Sequence, residues 1–308
     1  MILEVKIKNI FSFDKETTFK FDNVTIINGP NNSGKTSFLK ILDIVSRMVR
    51  NDDNFDNIPL NSYAYNKELC NFEITFTFDN NKYTYGFSCN RKEIVKEYLY
   101  CDELKVFVRD NSNKYSFNKK DKRLIKLSNN VSSNRLFISY FEDSNYIYLS
   151  DAYNFLSINL GVVLSVTSLF DLAFRIYERD SNHELKKYIL DFFKKSSINI
   201  IDYKVSTLLI NGNKAYKTKF KHSSFNKTYI IDYGDESLSI RVIFALLPFI
   251  LMAIDSNRTL LIDDLDRYLD INIISLLIEY FKNEEGQLVF CSHNDYDYGF
   301  SEIKLKNT

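Results

Sequence analysis

The sequence predicts a mixed α/β fold built on a largely parallel sheet, and three observations carry that prediction. A β-branched run, Asn23 to Asn28, leads into a glycine loop and then into an apolar helix. A second apolar run, Thr259 to Ile262, ends in the paired carboxylates Asp263 and Asp264. A third, Gln287 to Cys291, follows one more helix and ends in Ser292 and His293. Buried strands alternating with helices are the pattern of a parallel sheet covered on both faces.

Met1 to Ile10 alternates charged and apolar residues, which reads as a strand with one mostly polar face. Thr17 to Phe21 is its expected hairpin partner. Next comes Gly29-Pro30-Asn31-Asn32-Ser33-Gly34-Lys35-Thr36-Ser37, which fills every fixed position of G-x-x-x-x-G-K-[ST]. Strand before and helix after are the context this phosphate-binding loop needs, so the core is predicted to be a P-loop NTPase. Backbone N–H groups of the loop and the helix N-terminus would cradle phosphate oxygens. Lys35 would reach the β- and γ-phosphates, and the Thr36 hydroxyl would bind Mg²⁺.

The helix runs to about Arg50, and Asn51 to Leu60 reads as a loop carrying Asp52, Asp53, Asp56 and Pro59. Strands are expected at Asn71 to Phe78, Lys82 to Ser88, Ile94 to Cys101 and Leu104 to Arg109, with a hairpin turn at Asp79-Asn80-Asn81. Lys119 to Lys126 is a basic, solvated loop or helix end. Arg135 to Ser197 is mostly helical, with amphipathic pieces at Leu169 to Ile176 and Leu185 to Phe193. Neither sustains heptads, so no long coiled-coil arm is expected. Strands return from Asn199 to Asp232, turning at Asn211-Gly212. Ser237 to Ile254 and Ile271 to Phe281 are helices. The expected organisation is one half of the core in 1–110, a mostly helical insertion in 111–225, and the second half in 226–308, with no internal repeat.

Forty basic residues balance forty acidic ones, so no global positive field draws the chain to nucleic acid or membrane. Cys70, Cys89, Cys101 and Cys291 lack metal-site spacing and read as reduced thiols of a cytoplasmic protein. The N-terminus has no signal-peptide pattern. The apolar runs Leu160 to Phe170 and Val242 to Ile254 are too short to span a bilayer, so no membrane contact is expected.

The carboxylates after the second strand have a chemical reading once the phosphate loop is in place. Asp263 would hold Mg²⁺, and Asp264 would polarise the attacking water. His293, at the end of the next apolar strand, could contact a γ-phosphate and report its loss. Ser237 opens the long apolar helix after Asp235-Glu236, either as a plain N-cap or as a serine presented to a partner's phosphate.

The order of these parts resembles ABC-type ATPase heads, and within them the RecF/SMC-like branch and its OLD-type members. Glu236-Ser237 followed by Ala245-Leu246-Leu247-Pro248 is similar to that family's Glu-Ser helix ending in Ala-Leu-x-Pro. Asp263 through Asp270 resembles its Asp-Glu-x-Glu-x-x-Leu-His string, and Ile7 through Phe13 its opening Ile-x-Asn-Phe-x-Ser-Phe. The likeness covers both ends of the chain and is loose from Asp110 to Phe225. It implies an ABC-type ATPase head with a flanking antiparallel sheet and a helical insertion. It further implies a homodimer that sandwiches two Mg·ATP, with Ser237 contacting γ-phosphate in trans, and a role in bacterial defence against phage. OLD-type nucleases carry a Toprim domain after the head. Only residues 294–308 follow His293, so any nuclease or other effector is expected to be a separate chain.

Three departures from that pattern bear on turnover. Ser239 stands at the signature glycine. Asp264 is one methylene shorter than the usual glutamate. Gln287 is the sole glutamine and lies inside a strand, so there is no Gln loop. These favour slow hydrolysis, or an ATP-binding scaffold with little turnover. A RecF-like DNA-repair ATPase is a further alternative, with nucleic acid bound at a local basic stripe. Asn118-Lys119-Lys120-Asp121 matches the guanine-reading motif of GTPases but follows a polar stretch, and no Asp-x-x-Gly occurs. A small-molecule kinase would need neither the Ser237 helix nor His293.

Overall fold

The computed structural model describes residues 1–52, 57–118, 121–142, 145–210, 212–225, 227–282, 286–293 and 301–305. Asp53, Asp56, Lys119, Lys120 and Asn211, named above in loops and turns, lie outside the described residues. The chain starts with β1 (Ile2–Lys8), β2 (Thr17–Lys20), β3 (Val24–Asn28) and α1 (Lys35–Arg50). Then come β4 (Cys70–Phe78), β5 (Asn81–Cys89), β6 (Ile94–Cys101), β7 (Leu104–Arg109) and β8 (Tyr115–Phe117). After them lie α2 (Lys122–Ser128), α3 (Ile147–Asn154), β9 (Leu160–Val163), α4 (Phe170–Arg179) and α5 (Glu184–Lys195). The chain continues with β10 (Ile200–Ile210), β11 (Asn213–Ser224), β12 (Lys227–Asp232) and α6 (Leu238–Asp255). It closes with β13 (Thr259–Ile262), α7 (Ile271–Lys282), β14 (Gln287–Ser292) and β15 (Ser301–Lys304).

Among the described residues these strands form three sheets. The core sheet runs β15-β3-β14-β13-β9, and every pairing in it is parallel. An antiparallel sheet of order β2-β1-β4-β5-β6-β7-β8 flanks it, and β10-β11-β12 form a smaller one. The strand β9 differs from the sequence reading, which took Arg135 to Ser197 as mostly helical. Four apolar residues without alternation suit a buried strand and a helix turn equally, and only the free edge of β13 decides between them.

The core sheet feeds two hydrophobic cores through its alternation. Ile27, Leu261, Val289 and Cys291 pack toward α1 and the antiparallel sheet. Ile26, Leu260, Ile262, Leu288 and Phe290 pack toward α6 and α7. Phe38, fully buried on the first turns of α1, lies 4.3 Å from the Phe19 ring and 5.8 Å from Phe21. That anchors the helix whose N-terminus forms the phosphate loop.

Helix α6 is long and apolar enough to cross a bilayer by length and composition, where the run from Val242 alone is not. In the fold it is a core helix, with Val242, Phe244, Leu246 and Ile250 buried. Its Phe244 ring stacks on Tyr177, 4.2 Å away, whose hydroxyl donates to the Phe244 carbonyl.

Two buried polar residues join distant segments. Gln287 accepts from Ile2 N at 2.7 Å and donates to Ile2 O at 2.8 Å, so its one amide pairs with both backbone groups of that residue. It also donates to Asp22 O and accepts from Thr259 Oγ1. Glu97, fully buried, accepts from the N–H groups of Phe137 and Ile138 and from the Tyr85 hydroxyl. It pins residues 137–138 to the antiparallel sheet.

Candidate functional site

The phosphate loop leaves the buried end of β3 and enters α1 with no side-chain cap and no acidic residue in the first turn. Those N–H groups are therefore free to receive an anion. Gly34 has φ 98°, and a Cβ there would meet Ser12 Oγ at 2.9 Å and Phe13 Cζ at 3.1 Å. At Gly29 a Cβ would lie 2.7 Å from both Leu305 O and Ser33 Oγ. Both glycines are thus required by the closeness of the loop to its neighbours. Asn32 takes the left-handed conformation that asparagine tolerates better than most residues.

Lys35 is 4% exposed, and its Nζ donates to Gly29 O at 2.5 Å and Pro30 O at 3.0 Å. The loop's own carbonyls hold the ammonium over the nest. Ser12, Asn31, Asn32, Ser33, Gly34, Lys35, Thr36, Ser37 and His293 line one cleft of about 630 Å³. Ser12 is a lining residue the motif did not indicate. Its signal in the sequence was the Phe11-Ser12-Phe13 string, whose turn brings the hydroxyl over Gly34.

Asp263 follows the fully buried β13, and its N–H continues the ladder to Val163 O at 2.9 Å. Its Oδ1 is buried without a hydrogen-bond partner. Burial raises its pKa above the ordinary carboxylate value, opposed mainly by a hydrogen bond from the Thr36 hydroxyl. Thr36 and Asp263 thus face one another from α1 and β13. A buried carboxylate oxygen with no donor suits a cation. Among the described residues no group of three or more His, Cys, Asp or Glu forms a metal cage. Mg²⁺ takes one or two protein ligands and fills its octahedron with phosphate and water oxygens, so a single donorless carboxylate oxygen is the kind of ligand it uses. The donorless Oδ1 of Asp263, with the Thr36 hydroxyl facing the same carboxylate, therefore fits a divalent cation held beside a bound nucleotide.

Asp264 adopts φ 49° and ψ 43°, a left-handed conformation that turns the chain out of the strand. Its Oδ1 is 2.9 Å from His293 Nε2. The adjacency of β13 and β14 makes this possible across 29 residues. Asp266 braces the pair, accepting from Ser292 Oγ at 2.7 Å and His293 N at 3.0 Å.

Ser237 stands apart from the cleft. It is exposed and caps α6, accepting from Ile240 N at 3.3 Å. Just before it, Glu236 is buried and its Oε1 is 2.5 Å from His222 Nε2. Just after it, Ser239 Oγ donates to Tyr268 O at 2.6 Å, so this serine ties α6 to the turn that follows Asp263.

The family described as "AAA domain, putative AbiEii toxin, Type IV TA system" matches residues 24–296. An uncharacterized protein of Methanocaldococcus jannaschii is 29% identical over 152 residues, which is 48% of this chain and 16% of that protein's length. Among solved structures, an SMC head bound to the C-winged helix domain of ScpA superposes with a TM-score of 0.58 at 12% identity, covering 98% of this chain and 94% of that one. The SMC head domain from Thermotoga maritima gives a TM-score of 0.48 at 14% identity, covering 95% and 89%. The fold is that of a P-loop ATPase head of the SMC type.

Proposed function

This chain belongs to the AAA domain family described as a putative AbiEii toxin of a type IV toxin–antitoxin system, and we propose that it is a switch ATPase. Two heads would clamp Mg·ATP between them, and binding followed by hydrolysis to ADP and phosphate would control a separate effector chain in defence against phage. The single observation that carries this reading is the convergence of Lys35, Thr36, Asp263, Asp264 and His293 at the carboxyl ends of adjacent parallel strands.

Each residue has a distinct task. The loop N–H groups from Asn31 to Ser37 hold phosphate oxygens, and Lys35 exchanges its carbonyl partners for them. Thr36 and Asp263 would hold Mg²⁺, which when bound would supply neutralising charge to the transferring phosphoryl group. Asp264 orients the attacking water and takes its proton, while His293 contacts the terminal phosphate. Ser237, exposed and outside its own cleft, contacts the nucleotide of the second head.

The SMC head solved with a ScpA domain supports a separate partner for a head of this fold. Four free, buried cysteines support a reducing, cytoplasmic setting. One observation favours a second reading, an ATP-binding scaffold with little turnover. The short carboxylate of Asp264 is already engaged by His293, which leaves it less able to reach a water. Steady-state phosphate release with Mg·ATP, beside Lys35→Ala and Asp264→Asn, separates the two. Turnover lost in both variants supports the switch. No turnover above the variants, with ATP still bound, supports the scaffold.

A further inference from the structure

The buried pair of His222 and Glu236 joins β11 to the turn that opens α6. Its side chains are 7% and 4% exposed, and the Nε2–Oε1 distance is 2.5 Å. The His222 ring also stacks on Tyr229, its partner in the β11–β12 register, with centroids 5.2 Å apart and planes at 9°. Three segments meet there: β11, β12 and the turn that opens α6. Glu236 is the residue immediately before Ser237.

A buried polar pair of this kind adds little stability compared with apolar side chains of the same volume. What it adds is geometric definition, since a short hydrogen bond fixes both partners where an apolar contact lets them slide. The residue it fixes precedes an exposed serine at the mouth of a helix. On the far side, Ser239 is fastened to Tyr268 O. Ser237 is therefore held from both flanks while its own side chain stays at the surface.

We propose that His222 and Glu236 are positioning residues that set Ser237 for its contact with the second head's nucleotide. This rests on the reading of Ser237 given above. The pair touches no substrate and acts through the path of the backbone into α6.

The test replaces the pair by apolar residues of similar volume, His222→Leu with Glu236→Met. The expected protein melts no lower than wild type and binds ATP at its own loop with unchanged affinity. Its turnover at saturating ATP falls by about 100-fold, the scale of a small misplacement at a reacting centre. His222→Gln, which keeps a donor toward Glu236, retains most of the turnover. Mixing gives the readout that a merely structural role would not move. Lys35→Ala has an intact serine and a dead loop, whereas the double variant has the reverse, so the mixture regains turnover that neither has alone. Mixing Lys35→Ala with Ser237→Ala tests the underlying reading in the same way. Recovery there but not with the double variant overturns the positioning role alone. Recovery in neither mixture overturns the trans contact, and the proposal with it. A double variant that turns over like wild type, or that loses ATP affinity and melting temperature in step with turnover, also overturns it.

Discussion

His293 Nε2 and Asp264 Oδ1 lie 2.9 Å apart, so the proposed phosphate sensor and the proposed base form one hydrogen-bonded unit. Residues that act as a unit give non-additive losses. Asp264→Asn is expected to lower turnover by roughly 10²–10⁴-fold, the range for removal of a general base. His293→Ala is expected to lower it less, and the double variant to be no worse than Asp264→Asn. Single-turnover phosphate release on the three variants checks this, and fully additive losses would separate the two roles.

Lys35 bonds the carbonyls of Gly29 and Pro30 and lines the phosphate cleft. Lys35→Ala should abolish both the melting shift caused by Mg·ATP and any nucleotide-dependent association of heads. At ligand a hundredfold above its dissociation constant, that shift amounts to about 2.7 kcal/mol in the wild type. Calorimetry and light scattering read the two effects, and association that survives in this variant would sink the sandwich.

Asp263 should show effects of opposite sign. Its buried Oδ1 has no donor and burial outweighs the Thr36 hydrogen bond, so Asp263→Asn removes a charge that the protein compensates only in part. The ligand-free variant is expected to be more stable by about 1 kcal/mol, while the Mg²⁺-dependent part of nucleotide stabilisation disappears. Thermal melts with ATP plus EDTA and with ATP plus Mg²⁺ distinguish the two.

Glu97 gives a pH dependence. Its burial raises the folded-state pKa above the ordinary carboxyl value, although the Phe137 and Ile138 N–H groups oppose the shift. The native state therefore binds this proton more tightly than the unfolded chain. That contribution is fully present below the unfolded pKa and is lost as pH rises through the folded one. Glu97→Gln should remove this slope and cost about 1–3 kcal/mol through mismatched donors. Urea unfolding from pH 4 upward, wild type beside variant, tests both statements.

Gln287 pairs with the N–H and the carbonyl of Ile2 at once. Gln287→Ala strands both groups in a buried setting and should cost about 2–5 kcal/mol at constant m-value. A loss below 1 kcal/mol would mean that water enters to replace the amide.

Much of the core was legible because its signals are local. The glycine loop, the acid-tipped strand and the strand ending at His293 are each contiguous, and the hairpins from β4 to β7 carry alternation and turn residues. Contacts that depend on strand order were not legible. Nothing in the sequence says that β13 and β14 are neighbours, so the bond between Asp264 and His293 could not be read, nor the brace from Asp266. The pairing of His222 with Glu236 spans a hairpin whose register decides which face the histidine takes. Asp121, noted in a guanine-reading string, caps α2 by accepting from Arg123 N at 2.7 Å. Ser239, read as a departure from glycine, has the Tyr268 carbonyl as its partner.

The order β15-β3-β14-β13-β9 also has a kinetic consequence. The strand that leads into the phosphate loop is made early, yet both of its neighbours in the sheet, β14 and β15, are made far later. During translation β3 must wait, apolar and unpaired, until β14 leaves the ribosome. The amide that joins Ile2 to Gln287 closes a separation of 285 residues at the same moment. Such long-range closure makes for slow, late folding and an extended period of exposed strand edge. A truncated or stalled chain would hold the complete Gly29-to-Ser37 motif and still have no formed nucleotide site, so a half-made copy could not engage a finished one.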